Sequence, residues 1–506
     1  MNNTFDFSNL FVLDLANNHQ GSLEHGLNIV REMGAVVREN GARAGLKFQF
    51  RQMDTFIHPA HHQNSDNKHI PRFLGTRLST QDYATLTKAV REAGMITICT
   101  PFDEESLAVI QELDIEVIKI ASCSATDWPL LERIAECGKP VIFSTGGLGW
   151  REMDDLVSFF EHRRVHFAIM HCVSIYPTPD EQLELNQIDL LKRRYPNNVI
   201  GFSTHEVPED TSPAFVAVAK GAQILERHVG IETDTIKLNA YSSTPAQVDA
   251  WIKAATKARV MCGDAVRGPA PEVELESLRS LARGVYAKAP LKRGDKVTRE
   301  DVYFAMPIEE GQLASGDWKE GIVLQDDIAK DSALRLSEID VPRDPDKQIL
   351  YEAVHTMKAM LNEARIALPT DFETEFSHHH GIKDFHQTGI AMVTCINRSY
   401  CKKLIIQMPG QKHPSHYHKR KEETFHVLHG TLEMLIEGRR RTLYPGDLLL
   451  VQQGVWHEFW TETGVIFEEI STQHYNDDSF YEDKEINRIP RETRKTIVNQ
   501  WGRYQI

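Results

Sequence analysis

The chain has 506 residues, 41% hydrophobic and 25% charged, with 57 lysines and arginines against 72 aspartates and glutamates, a net charge of −15. That length exceeds one hydrophobic core and implies about three domains. The acidic balance argues against nucleic acid or an anionic membrane as the main partner, and it requires a local basic pocket for any anionic substrate. The 7 cysteines form no CxxC pair, which argues against a disulfide framework or a zinc ribbon. No apolar run reaches the roughly 20 residues that span a bilayer, and the first residues lack a signal-peptide pattern. The expectation is a cytoplasmic, multidomain enzyme.

Short β-branched runs recur through the first half: 10–16, 44–50, 96–102, 117–123, 140–146, 166–173, 199–205 and 222–229. Amphipathic segments separate them; in the first, Leu23, Leu27, Val30, Met33 and Val37 fall at helical spacing. Alternating βα units imply a parallel sheet, and this number of them predicts an α/β fold, a (β/α)8 barrel, with a doubly wound open sheet as the alternative. Polar residues collect at or just past the run ends: Asp14, Lys47, Gln49, Thr100, Lys119, Ser122, Ser144, His171, Ser174, His205 and His228. That end of a barrel is where an active site is built. Taken singly, each also reads as a cap or a snorkelling side chain. Together, lysines and hydroxyls suit a phosphate or carboxylate, and a histidine pair suits a divalent metal with open positions. A Schiff-base aldolase using Lys119 is the competing barrel chemistry.

The same segments, among them "LDLANNHQGS", "LKFQ", "CTPFD", "IKIASCSATDWPLL", "HCVSIYPTP", "GFSTHE" and "ILERHV", resemble the sialic acid (nonulosonic acid) synthase family over roughly residues 8–340. The resemblance implies condensation of phosphoenolpyruvate with an aldose to a 3-deoxy-2-keto sugar acid plus phosphate. By it, Lys47, Thr100, Lys119, Ser122, Ser144 and Gly146 would hold phosphoenolpyruvate. Asp14, Gln49, Ser174 and Tyr176 would face the sugar acceptor. His205 and His228 would bind Mn2+ or Mg2+, and Asp14, Lys47, Lys119, His205 and His228 would carry the catalysis. Segment 283–340 resembles that family's small antifreeze-like domain, with "KRGDKVTREDV" giving a turn, a strand and a helix start at Thr298. A homodimer is implied. The chain departs from the family at the acceptor end: Asp14 replaces a glutamate, Cys123 and Ser124 follow Ser122, Lys237, Leu238 and Asn239 replace a Pro-Asp element, and Met306 stands in place of an arginine. An acceptor other than N-acetylmannosamine is therefore as compatible with the sequence.

Beyond a boundary at 340–345, the stretch "PGQKHPSHYHKRKEETFHVLHG" sets His416, His418 and Glu423 in a His-x-His-x4-Glu spacing, with His457 on a later run. Short strands with Gly and Pro turns predict a small antiparallel barrel. Three histidines and a carboxylate in such a barrel make a mononuclear metal site with open positions. The motif resembles cupins, and "EEISTQHYNDDSFYED" resembles their D-lyxose isomerase branch. The resemblance implies a second divalent metal (Mn2+, Zn2+, Fe2+ or Ni2+) and a domain that isomerises or binds the barrel's sugar; a non-catalytic sugar-binding regulator, or a sugar isomerase with an inactive barrel, is the alternative. The resulting layout is a barrel at 1–265, a linker at 266–282, the antifreeze-like domain at 283–340, a helical connector and lead-in strand at 341–398, the cupin at 399–475 and a C-terminal tail at 476–506. The triplet 378–380, "HHH", reads as a surface or strand edge, and 58–70 as a polar loop or lid.

Overall fold

The computed structural model describes residues 5–499 apart from 64–65, 265–267, 343–344, 370–371 and 476. The expected barrel end at 265, the first residues of the linker, part of the 340–345 boundary and the end of the tail therefore lie outside the described residues. The chain divides into two compact units, Met1–Gly268 and Pro269–Ile506. Among the described residues no helix is long and apolar enough to cross a membrane.

The first unit is a closed barrel of eight parallel strands in chain order. They are β1 (Leu10–Asp14), β2 (Ala44–Phe50), β3 (Ile96–Pro101), β4 (Val117–Ile120), β5 (Val141–Ser144), β6 (Phe167–Cys172), β7 (Val199–Ser203) and β8 (Ile224–His228). β1 pairs with both β2 and β8, which closes the sheet and removes the open-sheet alternative. Most strands stop one to three residues short of the apolar runs, where the chain turns into the loops that carry the polar groups. The helix Leu23–Glu39 covers the outside: Ser22 caps it by accepting from the His25 N–H at 3.2 Å, and Val30, Met33 and Val37 are buried.

Strand alternation sorts the side chains into two cores. Outward residues such as Phe11, Leu46, Phe143 and Phe202 meet the helices. Inward residues Leu10, Val12, Ile98, Val117, Ile142, Ala168, Met170 and Ile224 fill the N-terminal half of the barrel. Burying each large one contributes about 1.5–3 kcal/mol, and the same parity lifts Asp14, Lys47, Lys119 and Ser144 above them.

In the second unit, β9 (Gly284–Ala287) pairs with β11 (Val302–Ala305), while β10 (Lys296–Val297), β12 (Ile322–Leu324) and β13 (Ile339–Asp340) form a three-stranded sheet. Val285, Val297, Val302, Leu313, Ile322 and Leu324 are their core. The helix start expected at Thr298 is only a 3-10 turn, Arg299–Asp301, with Thr298 and Asp301 capping each other.

This unit opens with the helix Glu272–Leu281, and from Pro345 on its described residues are β apart from the packing helix Pro345–Glu363, two short helices and turns. The strands there are β14 (Glu373–His378), β15 (Gly389–Asn397), β16 (Tyr400–Gln407), β17 (Lys412–Tyr417), β18 (Glu423–Gly430), β19 (Leu432–Ile436), β20 (Arg439–Leu443), β21 (Leu448–Val451), β22 (His457–Trp460), β23 (Val465–Thr472), β24 (Phe480–Tyr481) and β25 (Lys495–Asn499). They make a seven-stranded sheet, β21-β18-β23-β16-β15-β14-β25, and a five-stranded sheet, β20-β19-β22-β17-β24. Phe425, Val427, Met434, Phe459 and Phe467 form a core from both sheets, and Leu350, Val354, Met357 and Leu361 of the helix pack on Phe376, Val393, Leu404 and Ile406. The sheet is wider than the 399–475 segment expected from sequence. The segment 341–398 supplies two strands, β14 and β15, where one lead-in strand was expected, and the segment expected as a tail supplies β24 and β25. β25 is a short edge strand with one buried residue, Val498, so its apolar alternation is too sparse to stand out.

Candidate functional site

At the C-terminal end of the barrel, Lys47 forms an ion pair with Asp14 at 2.9 Å and a second one with Glu226. Lys119 lies 3.4 Å from the other Glu226 oxygen and donates to Ser144 Oγ at 2.5 Å. Two lysines thus share one carboxylate, all of it buried. Burial alone would lower the Lys47 pKa, but Asp14 and Glu226 outweigh it and raise it. Burial lowers that of Lys119, and Glu226 only partly offsets it. For Asp14 burial works upward, yet Lys47 and His228 hold the carboxyl below its usual range. Gln49 donates to Asp14 Oδ2 at 3.3 Å, and Arg51 donates to Gln49 at 3.2 Å with its guanidinium over Phe73 and Phe102.

The loops add to this floor. The Gly146 N–H donates to Ser122 Oγ at 3.0 Å, and a Cβ on Gly146 would sit 2.7 Å from that oxygen, so only glycine lets the loops converge. The Thr100 hydroxyl is buried without a partner among the described residues. The rings of His205 and His228 are 5.4 Å apart, with Tyr241 beside both and Tyr176 4.2 Å from His205. Val173 O accepts from His205 Nδ1 at 3.1 Å, which leaves Nε2 with the lone pair. Burial, then the neighbouring His228, pushes His205 down to about 3, and burial lowers His228 as well. Two neutral imidazoles fit a divalent ion whose remaining positions go to water or substrate.

Two readings change here. His171 is at a strand end but points outward, bonded to Leu183 O at 2.8 Å and stacked on Phe202, because parity on β6 turns Ala168, Met170 and Cys172 inward. Glu226, absent from the sequence reading, sits at the centre. Its signal was its place two residues before His228 on the same strand face.

In the cupin region, the ligand atoms of His416, His418, Glu423 and His457 all lie within 4.8 Å of one another, and all four residues are buried. His416 and His457 pair across β17 and β22, while Glu423 opens β18 of the other sheet. Each imidazole bonds a backbone carbonyl through Nδ1: His416 to Pro414 O at 3.1 Å, His418 to Asp478 O at 2.6 Å and His457 to Val455 O at 3.0 Å. That fixes the tautomer and turns the Nε2 atoms inward. His418 and His457 Nε2 each lie 3.3 Å from a Glu423 oxygen, and His457 Nε2 and Glu423 Oε2 are buried without hydrogen-bond partners among the described residues. These orphaned atoms fit a metal. Burial and then His457 push the His416 pKa well down; Glu423, which burial would raise, is held low by Lys421 and His418.

Three of the four, His416, His418 and Glu423, line a pocket. Lys421, also missed from sequence, contacts Glu423 and lies 2.9 Å from Glu469. The triplet at 378–380 is not a surface or edge feature. β14 is interior to its sheet, His378 and His379 are buried, and His379 lines this pocket against His413 at 4.6 Å. The expected alternation holds, since His378 turns the other way to meet Thr496 Oγ1 at 3.0 Å.

Comparison with known proteins bears on both regions. The model of the NeuB family matches residues 36–267, and that of the cupin domain matches 403–468. The solved spore coat polysaccharide biosynthesis protein E of Chromobacterium violaceum is 43% identical, with a TM-score of 0.63, over 66% of this chain and 99% of its own. The chain belongs to the NeuB family. Among other relatives, spore coat polysaccharide biosynthesis protein SpsE of Bacillus subtilis is 27% identical over 58% of this chain and 83% of its own. The N,N'-diacetyllegionaminic acid synthase of Campylobacter jejuni is 24% identical over 63% of this chain and 99% of its own. This NeuB-family chain therefore joins a barrel shared with sugar-acid synthases to a cupin.

Proposed function

We propose that the barrel condenses phosphoenolpyruvate with an aldose to give a 3-deoxy-2-keto sugar acid and phosphate. The observation that carries this is the buried Lys47–Glu226–Lys119 set, flanked by Ser144 and Ser122, beside the His205/His228 pair. Lys47 and Lys119, with Thr100, Ser122, Ser144 and Gly146, hold the phosphate and carboxylate through charge-assisted hydrogen bonds. Glu226 keeps the two ammonium groups from repelling each other before substrate arrives. Asp14 and Gln49, with Ser174 and Tyr176, face the acceptor. In the reaction, C3 of phosphoenolpyruvate bonds to the aldehyde carbon, water adds at C2, and the C2–O bond breaks as phosphate leaves with the bridging oxygen. Mn2+ or Mg2+ held by His205 and His228 would supply Lewis acidity. Residues 283–340 are read as an antifreeze-like domain, and the protein as a homodimer.

The cupin is read as a sugar site. The convergence of three Nε2 atoms and Glu423 supports a bound divalent metal, whose chemistry there is to hold adjacent sugar oxygens. Glu469, beside Lys421 on the pocket wall, is placed to move a proton between sugar carbons in an aldose–ketose exchange. The test is phosphate release from phosphoenolpyruvate with manganese, against aldoses with and without a 2-acetamido group and the matching ketoses. Release with an aldose supports the synthase reading. Release with its ketose, lost in His416→Ala, supports the isomerase reading. No release with any sugar overturns the synthase reading, and release with the aldose but never with its ketose overturns the isomerase reading.

A further inference from the structure

One lysine in the cupin pocket has no use in that scheme. Lys403 sits mid-strand on β16, 4% exposed, and lines the pocket. Among the described residues it makes no side-chain hydrogen bond or ion pair. Its nearest carboxylates are engaged elsewhere. Glu469, directly across from it on β23, takes Lys421 at 2.9 Å and the Ser471 hydroxyl at 3.3 Å. Glu375 on β14 takes Lys495 at 2.8 Å. A buried ammonium without a partner costs several kcal/mol, so a fold that keeps one facing a cavity has left room for an anion.

The rest of the wall agrees. The pocket is lined by four cationic side chains, Lys403, Lys421, Arg494 and Lys495, against three carboxylates, Glu375, Glu423 and Glu469. Glu423 already belongs to the metal cluster. Two further atoms on this wall, His379 Nε2 and His474 Nδ1, are buried without hydrogen-bond partners among the described residues. A neutral sugar would leave the ammonium uncompensated, whereas a carboxylate or phosphate answers it with hydrogen bonds of the strong, charge-assisted kind.

We propose that Lys403, together with Lys421, Arg494 and Lys495, forms an anion subsite beside the metal cluster, and that the cupin's ligand is a sugar carrying a carboxylate or a phosphate. The inference rests on the reading of the cupin as a sugar site. It narrows the substrate class to molecules that present hydroxyls to the cluster and an anionic group to the lysines. A sugar acid of the kind the barrel would make meets that description, and so does a phosphorylated precursor.

Calorimetric titration of the full, manganese-loaded chain with glucose, glucuronate and glucose 6-phosphate tests this. The wild type is expected to bind one of the anionic sugars at least about 10-fold more tightly than glucose, and which one distinguishes carboxylate from phosphate. Lys403→Met should weaken that binding by roughly 10- to 100-fold, and Lys403→Arg should restore most of it. The barrel is the same in all three proteins, so the difference belongs to the cupin. Equal binding of glucose and both anionic sugars by the wild type overturns the proposal, whether or not a variant folds. So does a Lys403→Met protein that binds as the wild type does. If inorganic phosphate binds with the same dependence on Lys403 while all three sugars are inert, the anion subsite stands and the sugar reading falls.

Discussion

The barrel and the cupin both tie histidine Nδ1 atoms to backbone carbonyls, but they assemble their sites in opposite ways. The cupin brings four ligand atoms within 4.8 Å from two facing sheets. The barrel gathers single side chains from the ends of parallel strands, and there His205 and His228 stand beside an ion network. Four protein ligands bind a metal unaided and still leave positions for sugar oxygens, whereas a histidine pair waits for water or substrate to complete the coordination. The cupin metal should thus be resident and the barrel metal exchangeable.

The largest expected effect would come from Lys119→Met, which removes the charge between Glu226 and Ser144. It should cut phosphate release by about 1000-fold while leaving cupin metal content intact; parallel loss of both would break the separation of the two sites. Next, His416→Ala opens the cage. Elemental analysis after dialysis against chelator should find the cupin equivalent of metal gone and phosphate release from an aldose unchanged. A subtler change is Asp478→Ala. Its carboxylate accepts from the Lys419, Arg420 and Lys421 N–H groups at 2.9–3.2 Å, holding the loop that carries His418. Losing it should weaken metal binding by roughly 10- to 100-fold in a competition titration. The smallest effect concerns pH. His19 is buried in the barrel, and burial, then His25, lowers its pKa to about 4 from 6.5. The unfolded chain takes up that proton first, so stability falls as pH drops through 6.5. His19→Gln should reduce the loss between pH 7 and 6 by about 0.7 kcal/mol in denaturant melts.

Much of this was legible because strands have period two and metal motifs have fixed spacing. The eight runs and their polar ends located the barrel rim, and His416, His418, Glu423 and His457 emerged as a cluster as they stood in the text. What failed to read was facing and cross-strand company. His171 looked like Lys119 until parity placed it outside. Glu226 drew no reading at all, Lys403 and Glu469 acquire meaning only through neighbours tens of residues away, and Lys421, two residues from Glu423, owes its second partner to the pairing that brings up Glu469. The histidines at 378–380 lacked a spacing signal, since what buries them is pairing of β14 with β15 and β25.

That pairing has a practical side. A fragment cut to 399–475 would lose β14, β15 and β25, baring a long run of unpaired backbone on β16 and the apolar side chains that now meet the helix Pro345–Glu363. Such an edge recruits other chains, so the shortened piece should aggregate on expression. The same cut discards Glu375, Arg494 and Lys495, and with them one wall of the pocket. A soluble, ligand-competent cupin is therefore a span of about 345–499, and what looked like packaging around a small barrel is part of the vessel.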